Sequence, residues 1–392
     1  MKDELSYMLV TPYTLSKSRT GGVMSRLLSR TDLKFVGAQV FSPSKEMAEA
    51  YADSIEKNSS EDDKKISDLL ANYVRTKFVS TDEKRRRVML MLFKGENAAV
   101  KLSSIAGALN YKNLSIESIT GETIRDTYAD LVMSPLNPDE VQYFEPAVFT
   151  ARTKENAEIN LNIFAKFLKD EPAIVENMTY KDPSKIERTL VIIKPDNWKY
   201  ASSKPGTIID MFSRTGLRLI GCKIQQMSVA QGLEFYGPVK DVLIEKLGPV
   251  FGKKGKEALE EKFDINLSEK SFKMITDSFG AEYAIDQFYQ IIEFMAGTKP
   301  PECPADELEK PGKVKSMVLI YEGVDAVNKI RDVLGPTDPT KAPGGTIRRE
   351  FGSNIMVNTA HASDSVDNCK REMGIVRIMD NNCYSLMNDY IS

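Results

Sequence analysis

Two short apolar runs, Tyr7-Met-Leu-Val10 and Leu190-Val-Ile-Ile193, open two stretches whose hydrophobic and polar positions then follow one order. Each run is too short for a helix and is bounded by polar residues, so each predicts a buried strand. Helical patterns follow, Gly22-Val-Met-Ser-Arg-Leu-Leu28 and Gly206-Thr-Ile-Ile-Asp-Met-Phe212. These run into Ser29-Arg-Thr-Asp-Leu-Lys-Phe-Val-Gly37 and Ser213-Arg-Thr-Gly-Leu-Arg-Leu-Ile-Gly221. The pattern predicts second strands over 34–41 and 218–227 and third strands over 87–93 and 314–320, with short helices beginning at Glu96 and Val324. Last strands are expected around 147–150 and 354–359, each followed by a polar helix.

This order is β-α-β-β-α-β, twice. It predicts an α+β protein of two ferredoxin-like domains, each a four-stranded antiparallel sheet with helices packed on one face. The polar segment Asn177 to Ile186, with Pro183, reads as a linker, giving domains over 1–178 and 179–392. Gly121-Glu-Thr-Ile-Arg125 and Gly344-Gly-Thr-Ile-Arg348 lie further apart than the earlier pair of motifs. The second half therefore carries an insertion of about forty residues, near 240–279, within a duplicated plan. The insertion contains Gly248-Pro, Gly252-Lys-Lys-Gly255 and a charged amphipathic stretch, for which extra helices and a solvated face both fit. Gly-Lys-Lys-Gly lacks the glycine spacing and terminal hydroxyl of a phosphate-binding loop.

The length of 392 residues suits two domains, each with its own core. With 42% hydrophobic residues, 28% charged residues and a formal charge of -3, the chain has no basic footprint for nucleic acid. No secretory leader or membrane-spanning run is visible, which makes the cytoplasm the default location. Cys222, Cys303, Cys369 and Cys383 have no close paired spacing, and reduced thiols are expected.

The chain has one histidine, His361, in Asn358-Thr-Ala-His361-Ala-Ser-Asp-Ser365. An imidazole joins a nucleophilic nitrogen to proton exchange near neutral pH, which suits transient carriage of a phosphoryl group. Lys194-Pro195-Asp196 closes an apolar run and Gly344-Gly-Thr-Ile-Arg-Arg349 precedes the histidine, so a lysine and two arginines are available for a polyphosphate. A satisfied structural histidine is the plainer alternative.

Taken in order, Lys194-Pro-Asp196, Arg331-Asp-Val-Leu-Gly-Pro-Thr337-Asp-Pro339, Gly345-Thr-Ile-Arg348 and Asn358-Thr-Ala-His361-Ala-Ser363 resemble the nucleoside diphosphate kinase family. The resemblance covers the second half outside the insertion and, more faintly, the first. It implies a two-step exchange in which His361 takes the γ-phosphoryl group of a nucleoside triphosphate and gives it to a nucleoside diphosphate. Magnesium would come with the nucleotide, and no residue is assigned as a metal ligand. By resemblance, Lys194 and Arg348 contact the moving group, Arg331 and Thr337 hold the β-phosphate side, and Asn358 meets the ribose and phosphate end. Glu372 would fix the histidine tautomer, in part through Ser363. Phe288 resembles the base-stacking platform with Ile292 beside it, and Tyr236 resembles a tyrosine that positions the histidine or a phosphate. Family members assemble from dimers, so a homo-oligomer is expected. Ala362, where the family usually has glycine, and the longer connection from Asn197 to Lys204 are departures.

In the first half Thr11-Pro12-Tyr13 stands in place of Lys194-Pro195-Asp196, and Phe149 aligns with His361. Arg125 remains where the second half has Arg348. The first half is expected to be a degenerate copy kept for packing, assembly or regulation. The alternative for the whole chain is a non-catalytic nucleotide-binding or scaffold protein. Acyl transfer through Ser363 is disfavoured, because a serine two residues from its base in one loop has poor geometry and no third group.

Overall fold

The computed structural model of this chain describes residues 3–109, 121–137, 140–380 and 382–392. It divides into two compact units, Met1–Ile224 with Met317–Ser392, and Gln225–Ser316.

In the first unit, β1 (Glu4–Val10) is followed by α1 (Pro12–Ser16), α2 (Thr20–Arg30) and β2 (Lys34–Phe41). Then α3 (Lys45–Lys57) and α4 (Lys64–Tyr73) lead to β3 (Val88–Gly95), α5 (Ala98–Ala106) and α6 (Ile124–Tyr128). A hairpin of β4 (Asp130–Met133) and β5 (Val141–Glu145) precedes β6 (Val148–Thr150) and α7 (Lys154–Leu168). The second half supplies β7 (Ile186–Ile193), α8 (Lys204–Ser213) and β8 (Arg218–Gln225). The second unit contributes α9 (Val229–Phe263), α10 (Glu269–Met274) and α11 (Ala281–Ala296). The chain then re-enters the first unit through β9 (Ser316–Val324), α12 (Ala326–Leu334), α13 (Ile347–Phe351), β10 (Ala360–Ala362), α14 (Val366–Ile375) and α15 (Asn382–Ile391).

The two main sheets have the same strand order, β2-β3-β1-β6 and β8-β9-β7-β10. In each, the opening strand is antiparallel to both neighbours. Helices cover both faces of the first sheet, rather than the one face expected. Alternate residues of β1 enter different buried clusters: Met8 and Val10 join Val23 and Leu27, while Tyr7 and Leu9 join Tyr51 and Phe164. A strand enclosed on both sides reads as a continuous apolar run.

The boundary expected at residues 178 and 179 does not separate compact units. One buried cluster runs from Met8, Val10 and Leu27 to Val191, Ile208 and Phe212. Its helices α2 and α8 cross at glycines. A Cβ on Gly206 would fall 2.1 Å from the Ser25 amide nitrogen, and one on Gly21 would fall 2.2 Å from that of Asp210. Only glycine permits backbones this close. The linker is also pinned, since Arg218 donates to the Thr179 carbonyl at 2.7 Å.

The last strand lies at 360–362, not 354–359. Asn354 Oδ1 accepts from the Met356 and Val357 amides at 2.9 and 2.8 Å, so these residues form a side-chain-closed turn whose donors are unavailable to a ladder. The β4–β5 hairpin was not signalled by alternation, because it presents no consistently buried face.

The second unit, taken alone, is helical. Its α9 starts with a capping box in which Ser228 and Gln231 satisfy each other's backbone amides. The insertion near 240–279 continues α9 and includes α10. In Gly252-Lys-Lys-Gly255 the lysines are exposed, while a Cβ on Gly252 would meet Thr276 Oγ1 at 2.0 Å. Both readings of this segment, extra helix and solvated face, therefore apply to different sides of it.

Candidate active site

His361 is the middle residue of the three-residue β10, opposite Ile192 of β7. The turn into this strand is strained. Thr359 has φ 76°, a left-handed conformation that a β-branched residue rarely adopts and that costs about 1–3 kcal/mol. Its carbonyl accepts the Lys194 amide at 3.0 Å and Asn197 Nδ2 at 2.8 Å. These bonds tie the end of β7 to the start of β10 and so bring the Lys194 segment beside the histidine segment.

The Lys194 ammonium donates to Asn358 Oδ1 at 2.7 Å. Asn358 Nδ2 in turn donates to the carbonyls of Ile355 and Thr337 at 2.8 and 3.1 Å. Arg348, on α13, donates to the Gly335 carbonyl at 2.9 Å and the Ala360 carbonyl at 3.0 Å. Its guanidinium thus spans from the end of α12 to the residue before His361, and two fixed hydrogen bonds set its orientation.

On the other side, His361 Nε2 lies 3.0 Å from Glu372 Oε1. Ser363 donates to the second oxygen, Oε2, at 2.6 Å. Glu372 is buried on α14, whose N-terminus is capped by Ser365. A carboxylate that accepts from Nε2–H selects the tautomer with the lone pair on Nδ1. Thus the geometry sets one imidazole nitrogen against a carboxylate and favours the lone pair on the other.

Burial pushes the Lys194 ammonium down to about 7, and the neighbouring Arg348 charge acts in the same direction while Asp196 opposes it. Burial pushes the Asp196 carboxyl up, against the pull of Lys204, whose Nζ is 3.3 Å away. Buried Lys194 and half-buried Arg348 place two positive charges at the ends of the paired strands, a setting that favours an anion. Arg331 and Thr337 are exposed on α12 and the loop after it. The Asp364 carboxyl is held below its usual range mainly by a hydrogen bond from Asn368, with the Arg331 charge contributing. Among the described residues no group of three or more His, Cys, Asp or Glu side chains is placed to hold a metal ion. No described helix is long and apolar enough to cross a membrane, and all four cysteines are free.

Tyr236, Phe288 and Ile292 belong to the second unit. Phe288 is 2% exposed and Ile292 is fully buried, so the stacking platform expected of this pair has no open face in the structure. The reason lies in α11, where Ala284, Phe288, Ile292 and Met295 form the buried stripe of an amphipathic helix. Tyr236 is also buried, its ring 5.0 Å from that of Phe235.

A model of the nucleoside diphosphate kinase family matches residues 309–378. A nucleoside diphosphate kinase of Anaeromyxobacter dehalogenans is 31% identical over 188 residues, 48% of this chain and 86% of the relative. One of Wolinella succinogenes is 32% identical over 188 residues, 48% of this chain and 93% of that relative. The chain belongs to the nucleoside diphosphate kinase family. A solved structure of the Aquifex aeolicus nucleoside diphosphate kinase aligns with 49% of this chain and 94% of its own, at 22% identity and a TM-score of 0.30.

The stretch matched by the nucleoside diphosphate kinase model contains Arg331, Thr337, Arg348, Asn358, His361, Ser363 and Glu372. Lys194 lies outside it and is brought in by the β7–β10 pairing. Sequence reasoning missed Thr359 and Asn197, which lock that pairing, and the Asp196–Lys204 ion pair. The only signal for Asn197 and Lys204 was the unusually polar connection after Pro195.

The first half repeats this framework with different side chains. Thr11 N–H bonds to the Ala147 carbonyl at 3.1 Å, and Ala147 has φ 61°, as Lys194 and Thr359 do in the second half. Phe149 pairs with Leu9 in the register of His361 with Ile192. Arg125 donates to the carbonyls of Gly107 and Val148, the counterparts of Gly335 and Ala360. Asn160, eleven residues after Phe149, stands in the place of Glu372.

Proposed function

We propose that the chain is a nucleoside diphosphate kinase whose second half moves a γ-phosphoryl group through phosphohistidine at His361. The observation that carries this reading is the Ser363–Glu372–His361 chain of hydrogen bonds, which holds Nε2 and directs Nδ1 chemistry. In the first step the Nδ1 lone pair attacks the γ-phosphorus of a nucleoside triphosphate. The bond from that phosphorus to the bridging oxygen breaks, and the diphosphate leaves with the electron pair. In the second step a β-phosphate oxygen of another diphosphate attacks the phosphohistidine, and Nδ1 regains its lone pair. Nε2 keeps its proton throughout, and Glu372 stabilises the charge that the ring acquires. Charge in such transfers spreads over the phosphoryl oxygens, so cations placed around them lower the barrier. Lys194 and Arg348 fill that role, with Arg331, Thr337 and Asn358 on the diphosphate.

Magnesium enters as part of the nucleotide substrate, since ions of this kind are commonly held by phosphates and one or two carboxylates. The first half is a degenerate copy, and the close α2–α8 packing supports an internal pairing of copies from which homo-oligomers are built. The cytoplasm, where nucleotide pools are held, is the proposed location. The test is exchange between ATP and GDP by the purified chain. Formation of GTP that is lost in His361→Gln supports the reading, whereas equal exchange by both proteins refutes it.

A further inference from the structure

The first half has lost a nucleophile but not a cavity. A space of ≈ 90 Å³ is walled by α3, α4, the end of α5, the residues after β6 and α7. Room for one water requires roughly 10–15 Å³ by this measure, so several waters or one tetrahedral oxyanion fit. Among the described residues the charged side chains lining it are Arg125 and Arg152, with no Asp or Glu.

Arg125 is the informative member. Two of its nitrogens are used by the Gly107 and Val148 carbonyls, which fixes the guanidinium plane. Its Nε is buried and has no hydrogen-bond partner among the described residues. A buried donor in this state is costly and calls for a ligand or water. Burial, and then the charge of Arg152, push Arg125 down to about 10, so the two cations disfavour each other. Arg152 also pairs with Asp63, which is not among the lining residues.

The other described lining residues are uncharged, and several of them hydrogen-bond to one another. Tyr7 and Tyr51 hydroxyls are 3.0 Å apart, and Asn160 Nδ2 donates to Tyr7 at 2.9 Å. Ser54 donates to Asn160 Oδ1 at 2.7 Å. Burial raises both phenols above their ordinary range, so they remain hydroxyls. Ser103, on α5 at the position that Arg331 has on α12, also lines the space.

We propose that this cavity in the first half is a non-catalytic oxyanion site, in which Arg125 and Arg152 hold a phosphate or the phosphoryl group of a small molecule. Guanidinium groups suit this ligand because their planar donors match tetrahedral oxyanions. With Phe149 and Asn160 where the second half has His361 and Glu372, the imidazole and its carboxylate are both replaced. The site therefore binds without turnover, and it stands or falls independently of the chemistry at His361.

The test follows the Arg125 Nε–H resonance in the full chain, labelled with nitrogen-15 and assigned through Arg125→Lys, during titration with inorganic phosphate. The proposal expects a saturable shift that is weakened by about tenfold in Arg152→Gln, whose folding is checked by its melting curve, because one charge-assisted contact is removed. It expects the same shift in Lys194→Gln, which alters only the second-half region. A parallel titration with ADP separates the sources: saturation at lower concentration than phosphate assigns a nucleotide phosphoryl group, and saturation by phosphate alone assigns the free ion. An Arg125 signal that stays still to millimolar ligand, or moves equally in Arg152→Gln, overturns the proposal and leaves a cavity filled by water.

Discussion

Phe149 and His361 occupy the same station in two sheets of identical strand order: each is the middle residue of a three-residue edge strand, opposite Leu9 in one sheet and Ile192 in the other. One is a nucleophile candidate and the other a core residue. Phe149 is 2% exposed and its ring lies 5.3 Å from that of Phe78 and 6.0 Å from those of Tyr51 and Tyr73.

Phe149→Ala is therefore expected to act on stability, not on exchange. Loss of a buried aromatic costs about 3–5 kcal/mol. Chemical denaturation should show the loss, while turnover per folded chain stays as in the parent. A large fall in turnover with unchanged stability would place the first half in the chemistry.

Glu372→Gln keeps a side chain of similar shape beside His361 but removes the charge that selects Nε2–H. The amide can present a donor instead, which favours the opposite tautomer. Phosphorylation of His361 should slow by about 10²-fold or more, on the scale of a lost acid–base partner. Rapid-quench single turnovers measure that step, and an unchanged rate would assign Glu372 a purely structural role.

Lys194 gives a pH dependence of defined sign. Its folded value is about 7 against 10.5 as an ordinary lysine, so between these limits the unfolded chain holds more protons than the folded one. Stability without nucleotide accordingly rises with pH across this window, and below pH 7 the full penalty of the buried charge is present. Nucleotide phosphates favour the ammonium, so binding at alkaline pH should take up a proton. Calorimetry in buffers of different ionisation enthalpy measures this uptake. It should vanish in Lys194→Gln, and uptake that persists there would assign the proton elsewhere.

The two-fold plan was legible because short apolar runs and Ser-Arg-Thr motifs recur in order, and strand periodicity survives in β1 and β7. The end of the second half was less so. Residues 354–358 look extended in composition, yet Asn354 closes a turn on its own backbone and shifts the strand to Ala360–Ala362. His361, Lys194, Arg348 and Glu372 were each visible as residue types at family spacing. The locking of Lys194 by Asn358, and of both strands by Thr359, was not visible, because it depends on contacts between segments more than a hundred residues apart. Phe288 misled for a physical reason: an aromatic at four-residue spacing from Ile292 is the signature of a helix's buried stripe as much as of an open ring.

Incubation of the full chain with magnesium and ATP labelled on the γ-phosphate tests the phosphohistidine directly. The account predicts acid-labile, base-stable label on His361 that leaves on addition of GDP or CDP and does not form in His361→Gln. Nucleotide binding with no such label, or label that persists in His361→Gln, would contradict it.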